Sequence, residues 1–259
     1  MTTSATETTS SGTRGRAPML EFRGVEKVFR NGYHAITPLD LTVSTGEIVS
    51  IVGPSGCGKT TVLRMAAGLT GVSRGTLTRH ATEQAYVFQD PTLLAWRNVR
   101  SNVELVAKLK KMPKQQRRSA AQRAIETVGL TDFASALPRQ LSGGMKMRVS
   151  LARAITSAPK IMYFDEPFAA LDEFTRAHLS DVLLDLWRLQ DFSALFITHS
   201  IAEAVNIAHR VVVMAAHPGR VEQVLTSPSP PTADPAAPRD RDALAEMERE
   251  IAGMLAGTQ

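Results

Sequence analysis

The sequence predicts an α/β protein built around a parallel sheet and interrupted by a helical insertion, and three observations carry that prediction. The runs IMYF (161–164) and ALFIT (194–198) are apolar throughout, as strands covered on both faces are. Between them Leu179, Val182, Leu183 and Leu186 recur at helical spacing, so strand and amphipathic helix alternate. A third apolar strand, EIVSIV (47–52), runs into a glycine-rich stretch and then into TVLRMAAGL, where Val62, Met65, Ala66 and Leu69 fall on one helical side.

In chain order, MTTSATETTSSGTRGRA reads as a disordered Ser/Thr-rich tail over residues 1–17. From Leu20 to Val52 short β-branched segments alternate with turns and predict strands, and GTLT and QAYVFQ add strand-like material. Residues 98–155 turn mainly helical, with Val99, Val103, Val106 and Leu109 or Lys110 approximating one face. Ser200 and Glu203 have capping-box spacing, so a helix is expected where ALFIT ends. From Ser227 the chain becomes a Pro-rich linker that can continue neither sheet nor helix. Beyond it Leu244, Met247, Ile251 and Met254 mark a short amphipathic helix, expected to dock on the body or on a partner.

Composition narrows the class. The longest clean apolar run, VVVMAA at 211–216, is far short of the roughly 18 residues that span a bilayer. The first residues contain no apolar core of a secretory signal. A single cysteine, Cys57, excludes an intrachain disulfide framework and fits a reducing compartment, so a cytoplasmic location is expected. A net charge of +5 permits an anionic partner, but the basic residues are scattered apart from KLKKMPKQQRR (108–118), a solvated helix face and loop.

The chemistry sits in five places. GPSGCGKTT comprises Gly53, Pro54, Ser55, Gly56, Cys57, Gly58, Lys59, Thr60 and Thr61, and lies between an apolar strand and a helix. That is the context of a phosphate-binding P-loop: glycines let the backbone wrap phosphates, Lys59 supplies charge, and the Thr60 hydroxyl can ligate Mg²⁺. Cys57 is a small spacer there. Asp165 and Glu166 follow a buried strand, at the sheet edge where α/β proteins bind ligands. In nucleotide hydrolysis Asp165 would hold Mg²⁺ and Glu166 would orient or deprotonate water. His199 ends the next strand and can reach a γ-phosphate; Gln89, after YVF, could sense Mg²⁺ or the attacking water. Finally, Ser142, Gly143 and Gly144 precede a helix bearing Lys146, Arg148 and Arg153, a second phosphate cradle without a preceding strand.

These motifs in this order (P-loop, Gln89, LSGG, IMYFDE, AALD at 169–172 and His199) resemble the ATP-binding cassette (ABC) family, over about Leu20 to Val224. The resemblance implies a P-loop NTPase (RecA-like) core with an N-terminal antiparallel β part and a helical insertion at about 91–157. It assigns 18–226 to the ABC ATPase domain and 227–259 to the linker and C-terminal helix. It also explains the incomplete cradle: two copies pair head to tail, and Ser142, Gly143 and Gly144 of each close on the ATP held by the other's P-loop. Asp172 would lie at the dimer seam, Thr60, Gln89 and Asp165 would hold Mg²⁺, and Phe29, with Tyr33 as fallback, would stack on adenine.

The stretch DPTLLAWRNVRSNVEL, DEPFAALDEFTR, LSGGM and VVVMAAHPGRV resemble importers of the nitrate/sulfonate/taurine branch. This implies the energy-coupling subunit of a binding-protein-dependent importer for a small anion or organic solute. Its partners would be integral membrane permease subunits and, indirectly, an extracytoplasmic solute-binding protein. It would sit peripherally on the cytoplasmic face of the membrane, with Leu93, Leu94 and Trp96 in a groove for a permease helix. Met147, Tyr163, Ala169, Ser200 and His209 depart from the branch pattern and touch no phosphate group. The alternatives are an ABC exporter ATPase, a non-transport ABC ATPase acting on nucleic acid or ribosomes, and a small-molecule kinase. One cassette, one cysteine and no heptad run count against nucleic acid; LSGG counts against a kinase.

Overall fold

The computed structural model describes residues 16–216 and 218–257, so the expected N-terminal tail falls outside them save for Arg16 and Ala17. Two sheets organise the chain. Strands β1 (Pro18–Val28), β2 (His34–Ser44) and β4 (Arg74–Arg79) form an antiparallel sheet in the order β2-β1-β4. Strands β3 (Ile48–Val52), β5 (Gln84–Val87), β6 (Ile161–Asp165), β7 (Ser193–Ile197), β8 (Arg210–Ala215) and β9 (Arg220–Thr226) form the second, ordered β5-β6-β7-β3-β8-β9. It is parallel from β5 to β8, and only β9 runs antiparallel.

The uniformly apolar strands are explained by two cores, one on each face. Ile48, Val52, Phe164, Phe196, Val211 and Val213 point into one. Helices α5 (Gly143–Ile155), α6 (Glu173–Gln190) and α7 (Ile201–Ile207) cover that face. Val49, Ile51, Tyr163, Leu195, Ile197, Val212 and Met214 point into the other, beneath helix α1 (Lys59–Ala66) and the antiparallel sheet. Neither face meets water, so alternation has no driving force.

The helical insertion consists of α2 (Val99–Val103), α3 (Leu105–Leu109), α4 (Lys114–Thr127) and α5. The single apolar face expected across 99–110 is corrected: the helix breaks at Glu104, and Leu109 is 73% exposed while Asn102 and Ala107 are buried. The Asn102 amide donates to the carbonyls of Leu94, Arg97 and Asn98, and its oxygen accepts from Leu94 N–H at 2.8 Å, fastening the loop before α2. Leu69 also departs from its expected face. α1 ends at Ala66, Gly68 adopts φ +75°, and the amides of Gly68 and Leu69 close on Met65 and Arg64 carbonyls in a Schellman motif, leaving Leu69 60% exposed.

Helix α8 (Arg241–Gly257) buries Leu244, Met247 and Ile251 in the first core, against α7 and β8. The Pro-rich segment before it is pinned: the Arg239 guanidinium donates to carbonyls of Ser229 and Asn206, and Arg188 Nε donates to Thr232 O at 3.1 Å.

Candidate functional site

The loop from Gly53 to Gly58 leaves β3 and enters α1, and its glycines are dictated by space. A Cβ on Gly53 would stand 2.6 Å from Met214 O, and one on Gly58 2.4 Å from Ile36 Cδ1, with Gly58 at φ +95°. No side chain caps α1, so its first-turn amides and the positive end of its dipole are left for an anion. Lys59 is buried, and among the described residues its Nζ donates only to neutral carbonyls, Gly53 O at 2.8 Å and Pro54 O at 3.1 Å. A buried ammonium without a carboxylate partner is a site awaiting negative charge. Burial pushes the Cys57 thiol above its ordinary value, in keeping with a spacer and not a nucleophile.

Asp165, at the end of β6, faces the loop. Thr60 Oγ1 donates to its Oδ1 at 3.0 Å, and the Tyr86 hydroxyl donates to its Oδ2 at 2.8 Å. Burial, and next the bond to Asp165, hold the Tyr86 phenol far above its usual range, so it stays a donor. Glu166 adopts φ +47°, a left-handed conformation that costs a non-glycine residue energy, and its N–H donates to Ile197 O at 3.0 Å. Its Oε2 lies 3.3 Å from His199 Nδ1, which joins the ends of β6 and β7. The oxygen donors Thr60 and Asp165 suit Mg²⁺. No group of three or more His, Cys, Asp or Glu among the described residues could hold a metal alone, so phosphate and water would complete the shell.

Other sequence-derived residues lie outside this cluster. Gln89 follows β5 with an exposed side chain and no hydrogen bond among the described residues. Phe29 and Tyr33 stand on the β1–β2 hairpin with ring centroids 6.5 Å apart and planes at 16°, and Lys27 Nζ lies 5.3 Å from the Phe29 centroid. Both aromatic candidates therefore share one turn.

Ser142 is the N-cap of α5, its Oγ accepting from Met145 N–H at 3.3 Å. Asp172 likewise caps α6, accepting from Thr175 N–H at 2.9 Å and Thr175 Oγ1 at 2.7 Å; the backbone bond leads in holding its carboxyl below the ordinary range. The two helix starts touch: a Cβ on Gly144 would lie 2.6 Å from Thr175 Cγ2, and one on Gly143 3.5 Å from Leu171 Cδ2.

Two contacts are not legible in the sequence. Tyr86 on Asp165 is one. Arg153 of α5 donates to Pro91 O at 2.7 Å, Thr92 O at 3.0 Å and Thr92 Oγ1 at 3.1 Å, binding the segment after Gln89 to the helix behind Ser142. Glu203 completes only half of its capping box. Its N–H donates to Ser200 Oγ, but Ser200 N–H takes Thr198 Oγ1, and the Glu203 carboxyl is buried and pushed up by that burial. Leu93 and Leu94 are half-buried, and Trp96 is 76% exposed.

Comparison with known proteins agrees with this geometry. The family model described as ABC transporter matches residues 36–169. An ATP-binding protein of Brucella abortus is 45% identical over 215 residues, 80% of this chain and 82% of that protein. An aliphatic sulfonates import ATP-binding protein of Mycobacterium avium is 43% identical over 218 residues, 84% of this chain and 85% of that protein. Among solved structures, a dimeric ATP-binding cassette in a post-hydrolysis state, bound to ADP and Pi, matches with a TM-score of 0.71 and 28% identity over 80% of this chain and 98% of that one. The phosphate loop, the carboxylate edge and these likenesses lead to one conclusion: the chain belongs to the ATP-binding subunits of the ABC transporter family, enzymes that hydrolyse ATP.

Proposed function

We propose that this chain is the energy-coupling ATPase of a binding-protein-dependent importer for a small anion or organic solute of the nitrate, sulfonate or taurine type. The observation that carries the importer assignment is the 43% identity, over 84% of the chain, to a sulfonates import ATP-binding protein. No helix among the described residues is long and apolar enough to cross a membrane. The path for the solute is accordingly assigned to permease subunits, with this chain at the cytoplasmic face and a solute-binding protein delivering cargo outside. The cassette is assigned to residues 18–226, and 227–259 to an appendage.

The geometry supports the following roles. ATP phosphates take the free amides at the start of α1, and Lys59 exchanges two neutral carbonyls for phosphate oxygens. Thr60, Asp165 and Gln89 would hold Mg²⁺, which would neutralise charge on the phosphates. Glu166 accepts a proton from the attacking water, and His199, paired with it through Nδ1, keeps its second ring nitrogen for the γ-phosphate. Phe29, or Tyr33 beside it, stacks on adenine. Ser142, Gly143 and Gly144 of a second copy complete the site, and Asp172 stands at the seam. Binding closes the pair, and hydrolysis reopens it.

The test is to purify the tagged chain from gently solubilised membranes and identify its companions by mass spectrometry. Recovery with a multi-span membrane protein in equal amounts supports the reading. Recovery only from the soluble fraction, with ribosomes or nucleic acid, overturns it and leaves the ATPase intact.

A further inference from the structure

Asp165 is held from both sides by residues far apart in sequence: Thr60 of α1 on Oδ1 and Tyr86 of β5 on Oδ2. The register explains how Tyr86 reaches. Tyr86 pairs with Tyr163 in the parallel β5–β6 ladder, so its side chain leaves the same face as Asp165, two residues further along β6. Two residues of strand rise about 6.6 Å, a span that a phenol crosses and a β-branched side chain does not. The ring is steadied by Phe88, with centroids 4.3 Å apart, and by Tyr163 at 6.4 Å.

The two bonds differ in what nucleotide does to them. The Thr60 hydroxyl sits in the P-loop and would exchange its carboxylate contact for the metal shell. The Tyr86 hydroxyl lies on β5, outside the loop, and has no metal to turn to. We propose that Tyr86 is a positioning residue of the metal site, fixing Asp165 through Oδ2 so that Oδ1 is presented to Mg²⁺ beside Thr60. This rests on the assignment of Asp165 and Thr60 to Mg²⁺. A partner that orients a metal-side carboxylate commonly changes metal affinity by tenfold or more when removed.

Tyr86→Phe removes the hydroxyl and keeps the ring. In a Glu166→Gln background, binding of a fluorescent N-methylanthraniloyl ATP is titrated with Mg²⁺, and a thermal melt checks folding. Tyr86→Phe is expected to leave Mg²⁺-free affinity within about twofold and to raise the half-saturating Mg²⁺ concentration about tenfold. An unchanged Mg²⁺ midpoint overturns the inference, and so does an equal loss of Mg²⁺-free binding, which marks a merely structural bond. Nucleotide affinity independent of Mg²⁺ in the Glu166→Gln parent overturns instead the metal role of Asp165.

Discussion

Acidification should destabilise this protein through His209, by an amount that the structure allows to be worked out. His209 precedes β8, and its Nδ1 accepts a hydrogen bond from Ile48 N–H at 3.2 Å, so the ring must be neutral there. It packs edge-on against Trp187, with centroids 5.2 Å apart. Burial is the main cause that lowers its pKa from 6.5 to about 4; Arg16, Arg239 and Arg210 add to this and Glu47 opposes it. The unfolded chain binds a proton near pH 6.5 that the folded chain refuses until about 4. The contribution is therefore complete above pH 6.5, erodes as pH falls from 6.5 towards 4, and is gone below. At pH 5 the loss is about 2 kcal/mol, rising to about 3 kcal/mol at the acid limit. For a chain of this size 2 kcal/mol lowers the melting temperature by roughly 4–8 °C. His209→Asn supplies a carbonyl oxygen in place of Nδ1 and does not titrate, so comparing the two proteins at pH 8 and pH 5 cancels the other titrating groups. The wild type should lose about 2 kcal/mol more than the variant in urea denaturation. Equal losses would refute the assignment of the neutral, half-buried histidine.

The remaining predictions concern the chemistry. Glu166→Gln should retain ATP binding while hydrolysis falls by roughly a hundredfold or more, measured as phosphate release; unchanged turnover removes Glu166 from the reaction. Lys59→Ala should weaken ATP binding by about tenfold or more, read by nucleotide titration, because a charged donor to phosphate is lost. Normal affinity would show that the lysine remains on its own loop. Ser142→Arg should abolish hydrolysis and leave the ATP affinity of the isolated chain unchanged; lost monomer affinity would place the serine in its own chain's site.

What sequence shows and hides here follows from how each contact is specified. The P-loop, Asp165, Glu166 and His199 are legible because strand, turn and helix signals are local and the chemistry lies at their junctions. The two cores are legible for the same reason: apart from the Tyr163 and Thr198 hydroxyls, IMYF and ALFIT contain no polar side chain. Periodicity puts Leu69, and Leu109 or Lys110, in line with apolar faces because it carries no stop signal by itself; the Schellman turn at Gly68 and the break at Glu104 decide where each face ends. Tyr86 on Asp165 and Arg153 on Pro91 and Thr92 depend on the register of β5 with β6 and on α5 lying behind the loop, neither of which is a local property.

The starts of α1 and α5 are built differently, and under the proposed reading the difference bears on why one would bind phosphate alone and the other with a partner. α1 has no side-chain cap, so its amides are open and an arriving phosphate gains their full worth. α5 already has a cap: Ser142 Oγ takes the Met145 N–H, and Gly144 is pressed so close to Thr175 that no larger residue fits. The serine hydroxyl keeps its own proton for donation while its oxygen accepts, so it can bind phosphate without giving up the helix. It offers one hydroxyl, the glycine amides and the helix dipole, with Lys146 one turn into the helix and no wrapping loop. Under the proposed reading such a start does not hold a nucleotide by itself and closes on a γ-phosphate already held by another chain. Asp172, capping α6 against the same Thr175, ties that weak jaw to the neighbouring helix, so a load on the serine is passed to both.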